Sequence, residues 1–95
     1  MFGEPGKPKL LLVDDEPVNL RVLKQLLGKD YTLYFAKSGD EALKLAEKQR
    51  PDLILMDVMM PEMTGFQACT YLKKTPGLKH IPVIFVTALN DATDE

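Results

Sequence analysis

Two short apolar runs in this sequence end in carboxylates. LLLVDDEP sets Asp14 and Asp15 side by side after Leu10 to Val13, and DLILMD closes on Asp57. A third run, IPVIFVT, closes on the hydroxyl of Thr87. Two unit charges about 4 Å apart repel by roughly 4 kcal/mol at an effective dielectric near 20. Crowded carboxylates therefore diverge into water or share a cation. An all-oxygen set suits a hard cation, Mg2+ or Mn2+, better than zinc. Mg2+ keeps several waters and divides its other positions between a carboxylate or two and phosphate. A carboxylate beside it can attack phosphorus and become an aspartyl phosphate, a transfer that needs mainly positioning and charge neutralisation. Thr87 could then donate a hydrogen bond to a phosphoryl oxygen. Any one of these aspartates alone reads as a helix cap or turn residue. The chemistry requires that they converge.

Convergence depends on the elements between them. KLLLVD is almost wholly apolar and too short for a core helix, which suits a strand buried on both faces. Pro17 fits a first helical turn, and Leu20, Leu23 and Leu27 follow at helical spacing until Gly28. YTLYFA predicts a second strand. SGDE, Ser38 to Glu41, matches a capping box opening a helix through Ala42, Leu43, Leu45 and Ala46 that must end near Pro51. Asp52 to Asp57 predicts a third strand. TGFQACTYLKK predicts a helix with Phe66, Cys69 and Leu72 or Lys73 at helical spacing, ended by TPG. Ile81 to Thr87 predicts a fourth strand, and LNDATDE the opening of another helix. Alternating strands and helices with apolar strands predict an α/β fold, a doubly wound parallel sheet. In such sheets, functional groups gather beyond the carboxyl ends of the strands. Asp14, Asp15, Asp57 and Thr87 all stand at such ends.

Bulk properties narrow the classes. The chain has 95 residues, is 45% hydrophobic and 27% charged, and carries a net charge of −2, which fits one soluble globular domain. The absence of a basic run argues against direct nucleic-acid binding. The single cysteine, Cys69, excludes an intramolecular disulfide, packs best as a small core residue and fits a cytoplasmic setting. No apolar run approaches the roughly 20 residues of a membrane span. Residues 1–8, with two glycines and two prolines, read as a flexible leader, and 9–95 as the domain. His80 reads as a loop residue, and the methionines as core or loop filler.

With these residues in view, the chain resembles the receiver domain of two-component response regulators. The likeness rests on LLVDDEP, on DLILMDVMMPEMTG with Pro61, Met63 and Gly65 spaced after Asp57, and on IPVIFVTA. It implies a flavodoxin-like fold with strand order 2-1-3-4-5. It implies phosphorylation of Asp57 by a sensor histidine kinase or a histidine phosphotransfer protein. It implies Mg2+ at Asp15, Asp57 and the Met59 carbonyl with Asp14 assisting, Thr87 as the phosphoryl-binding switch, and the small Ala88 leaving access. The tail VTALNDATDE resembles receivers joined to cyclic-dinucleotide enzymes.

The family's lysine, switch aromatic, fifth strand and fifth helix would come after residue 95, and Lys73, Lys74 and Lys79 do not stand at the lysine's place. The expectation is therefore a C-terminally truncated receiver that is phosphorylated slowly or undetectably in isolation and self-associates through the open edge of the fourth strand, the alternative being part of a longer product whose tail closes the sheet. Two function classes stand: a phosphoacceptor signalling module, and a phosphorylation-impaired interaction or dimerisation module. A metal-dependent phosphohydrolase ranks behind both, because the sequence offers no separate acid/base residue and no cap domain.

Overall fold

The computed structural model describes residues 6–86. Strands β1 (Lys9–Val13), β2 (Thr32–Ala36), β3 (Leu53–Met56) and β4 (Val83–Phe85) alternate with helices α1 (Pro17–Leu27), α2 (Gly39–Gln49) and α3 (Gly65–Lys74). All neighbouring strands are parallel, in the order β2-β1-β3-β4, so the expected doubly wound sheet forms. β1 and β3 are central, and Val13 pairs with both Ala36 and Met56. The carboxyl ends of the two central strands therefore lie side by side. Among the described residues β4 forms one edge of the sheet. The helix expected from LNDATDE lies outside the described residues.

The period of two in the strands sorts their side chains onto two faces. Leu11, Val13, Ala36, Ile54 and Met56 point to one face and pack with Ala42, Ala46, Ala68 and Leu72 of α2 and α3. Leu10 and Leu12 point to the other, against Leu20, with Leu23 and Leu27 at the margin. The run Leu10–Val13 is at most 2% exposed, which explains its unbroken apolar character.

The helix ends obey local chemistry. Pro17 stands at the start of α1. Ser38 Oγ accepts the Glu41 amide at 3.1 Å, and Glu41 reaches back to the amide of Lys37, one residue before the cap, at 2.8 Å. Gly28 leaves α1 with φ −64°, so its freedom to turn left-handed is not used. Arg50 adopts that conformation after α2 instead, with φ 51°. Its guanidinium donates to the carbonyls of Glu47 at 3.0 Å and Gly77 at 3.2 Å.

Two sequence expectations need correction. The inward face of α3 is Gly65, Ala68 and Leu72. Phe66 is 58% exposed, and Cys69 is only half-buried. Phe66, Cys69 and Lys73 instead line a groove with Phe85, where the Phe66 and Phe85 rings meet edge to face at 4.8 Å. Small residues on the inward face let α3 approach the sheet closely. Second, β4 begins at Val83. Pro82 has no N–H to give a ladder, and the Ile81 carbonyl accepts Lys73 Nζ at 2.7 Å.

Candidate functional site

Both loops at the carboxyl ends of β1 and β3 are bonded to the sheet at their first residue. The Asp14 amide donates to the Ala36 carbonyl at 3.0 Å, and the Asp57 amide to the Val13 carbonyl at 2.9 Å. Each aspartate thus continues its strand by one residue. One carboxylate oxygen from each of Asp14, Asp15 and Asp57 comes within 4.8 Å of the others. The convergence expected from the strand ends is present.

The three carboxylates differ in surroundings. Asp14 is 5% exposed. Its Oδ1 accepts the Glu16 amide at 2.9 Å and its Oδ2 accepts Asn19 Nδ2 at 3.1 Å. Asp15 and Asp57 are half-buried. Asp57 Oδ1 accepts the Met59 amide at 3.3 Å. Burial raises the Asp57 pKa above its ordinary value, and the charge of Asp14 and, less strongly, that of Asp15 push the same way. The amides of Met59 and Val58 oppose the rise. Among the described residues the one ion pair is Lys44–Asp40, on the exposed face of α2. Among those residues, then, the cluster has neutral donors around it and no side-chain cation paired to it.

The loop after Asp57 is tightly built. Met63 N–H donates to the Pro61 carbonyl at 2.7 Å across Glu62, whose φ is 69°. This is a three-residue turn of a strained type. Gly65 N–H then reaches the Val58 carbonyl at 2.9 Å. A Cβ on Gly65 would collide with the Asp57 carbonyl oxygen and stand 3.1 Å from Val58 Cα. Glycine is required here for closeness, which brings the start of α3 against the backbone of Asp57. Thr64 and Gln67 complete a full capping box at that helix start, at 2.9 and 3.2 Å. Met60 and Met63 pack into the core, while Met59 is 75% exposed.

Sequence reasoning missed Asn19, which is only 7% exposed. A signal for it exists. Position 19 lies four before Leu23 and eight before Leu27, so a polar residue interrupts the inward stripe of α1. The Thr64–Gln67 box is equally legible in TGFQ. Thr87 and Ala88, the expected switch and access residues, lie outside the described residues.

The all-oxygen donor set fits a divalent hard cation. Residues 10–95 match the family described as response regulator receiver domain. Response regulator PleD of Caulobacter vibrioides is 44% identical over 87 residues, 90% of this chain and 19% of that protein. A protein of Vibrio cholerae named "Probable cyclic di-GMP phosphodiesterase" is 40% identical over 86 residues, 90% of this chain and 20% of that one. The chain thus spans about a fifth of the length of these relatives. The receiver domain of a sensor histidine kinase from Pseudomonas aeruginosa PAO1 superposes with a TM-score of 0.81 at 33% identity, covering 87% of this chain and 69% of that one. That structure has a magnesium ion coordinated in its active site cleft. Sheet order, acidic pocket and sequence agree: the chain belongs to the response regulator receiver domain family.

Proposed function

We propose that this domain, residues 9–95, is a phosphoacceptor whose Asp57 takes a phosphoryl group from a phosphohistidine of a sensor histidine kinase or histidine phosphotransfer protein. The observation that supports it most is the convergence of Asp14, Asp15 and Asp57 from two adjacent strand ends. Asp14, Asp15, Asp57 and the backbone carbonyl of Met59 would hold Mg2+, or Mn2+. Bound there, the cation supplies neutralisation of the charge that builds between the carboxylates and a phosphoryl group.

The chain's own residues supply the positioning. Asp57 carries the nucleophilic oxygen. The Met59 amide, donating to Oδ1, holds that carboxylate in place. An O–P bond forms on Asp57 as the P–N bond to the donor imidazole breaks, and the imidazole leaves with the electron pair and takes up a proton. The hydrogen bonds of Asp57 and Asp14 to backbone amides hold both carboxylates before the donor arrives, the kind of advance arrangement on which in-line transfer depends. Thr87 would donate to a phosphoryl oxygen, and Ala88 would leave room for it. A cytoplasmic setting, where kinases of this type present phosphohistidine, belongs to the same proposal.

The test is transfer from a phosphohistidine donor in the presence of Mg2+, read by intact mass. The chain should gain one phosphoryl group, slowly. Asp57→Asn should gain none, while Asp52→Asn should behave as the parent. Asp52 stands at the opposite end of β3, where Oδ2 accepts the Lys9 amide at 2.7 Å. Labelling of Asp57→Asn at the parent rate would overturn the assignment. Mg2+ binding without any transfer would favour the interaction module.

A further inference from the structure

Asp14 is the most enclosed of the three carboxylates, and both of its oxygens are engaged by neutral donors. One donor is the Glu16 amide, a local backbone contact two residues along the chain. The other is a side chain, Asn19 Nδ2, five residues along and inside the first turn of α1. Asn19 is itself buried, with 7% of its surface exposed. An asparagine in a helix is an indifferent helix former, and one turned toward the core carries a desolvation cost unless it is bonded. Its bond to Asp14 accounts for its place.

A carboxylate has about four lone-pair directions, and the two contacts leave others for the cluster. With Glu16 alone, the carboxyl plane of Asp14 could rotate about χ2. With Asn19 holding the second oxygen, both ends of the carboxylate are fixed, one from the loop and one from α1. Groups that orient metal-binding side chains in this way typically alter metal affinity about 10- to 100-fold when removed.

We propose that Asn19 is a positioning residue of the cation site, fixing the Asp14 carboxylate so that it can share a cation with Asp15 and Asp57. This rests on the cation site proposed above. The consequence is specific: Asn19 acts on the cation only through Asp14. It touches neither Asp57 nor Asp15 through any hydrogen bond among the described residues.

Calorimetric titration of Mg2+ into the purified protein, into Asn19→Leu, into Asp14→Asn and into the double variant tests this. Asn19→Leu should raise the Kd about tenfold, the low end of such effects. In the Asp14→Asn background the same change should shift the Kd by less than about twofold, because the contact it removes has already changed character. Thermal melts in chelator separate affinity from folding. Leucine is the better helix former, so a loss of affinity without a lower melt marks positioning. If Asn19→Leu does not fold, Asn19→Ala at the same helical position carries the same comparison. Failure of the parent protein to bind Mg2+ would overturn the cation site itself. Parent binding with an unchanged Kd in the Asn19 variant, or equal shifts in both backgrounds, would overturn this inference alone.

Discussion

At the scale of single residues, three converging carboxylates should cost the fold stability unless a cation offsets them. Asp57 is held near two other carboxylates, and its proton is bound more tightly in the folded chain than in the unfolded one. Replacing Asp57 by asparagine keeps the shape and removes a charge from the cluster. In chelator at neutral pH, Asp57→Asn should therefore be more stable than the parent. The gain should be about 0.5–1 kcal/mol, a small figure because water screens a half-buried site. Urea denaturation in EDTA measures it, and equal or lower stability would contradict the repulsion argument. In Mg2+ the order should reverse, since the parent gains a bound ion that the variant holds more weakly. The identities and strand-end positions of these carboxylates are legible in the sequence. The division of labour among them is not. That Asp14 is the buried, doubly bonded member depends on Ala36 and Asn19, which only the fold brings to it.

At the scale of elements, α3 decides where the Asp57 backbone sits. Its first residue packs directly on the Asp57 peptide, and its capping box joins Thr64 to Gln67 at both ends. Thr64→Ala should cost about 1 kcal/mol, as loss of a cap usually does. Gly65→Ala should cost more, about 1–3 kcal/mol, because the added methyl meets backbone and not a flexible side-chain tip. It should also weaken Mg2+ binding, since the clash is relieved by moving Asp57. Thr64→Ala should leave binding within about twofold, because the contact it removes is to Gln67 and the Gly65 packing on the Asp57 peptide stays. Comparing both variants by denaturation and by titration tests this split; a Gly65→Ala protein with parent stability would refute it. The inward face of α3 escapes sequence reading for a related reason. An apolar pattern gives most weight to Phe66 and Cys69, whereas the inward stripe consists of Gly65, Ala68 and Leu72, two of them too small to register as hydrophobic. β1, by contrast, is plain, because a strand covered on both faces must be apolar at every position. The start of β4 is half legible: Pro82 marks it in the sequence, but the Lys73 side chain that takes the Ile81 carbonyl is a tertiary contact that no local pattern contains.

At the scale of the whole molecule, proton and cation compete for the same carboxylates, and the competition should be visible as opposite slopes of stability against pH. Without metal, the raised pKa of Asp57 means that the folded state binds its proton more tightly. Stability from this group is then greatest below the unfolded aspartate value, and declines as pH rises through the interval up to the folded value. Other carboxylates superpose their own slopes, so the contribution is isolated by subtracting Asp57→Asn from the parent. With metal, the sign changes. A cation that binds only the folded, deprotonated cluster adds stability by mass action, about 2.7 kcal/mol when its concentration is about 100 times its Kd. That increment should be complete at neutral pH and vanish as the solution is acidified through the Asp57 titration. Melts in Mg2+ and in EDTA should therefore be well separated at neutral pH and converge in acid, whereas Asp57→Asn should show a smaller gap at neutral pH. A separation that persists undiminished below the Asp57 titration would place the cation elsewhere on the molecule. If convergence is found, the carboxylates that repel one another without the ion are also what makes stability respond to it, and they stand at the ends of the central strands β1 and β3, whose side chains fill both layers of the core.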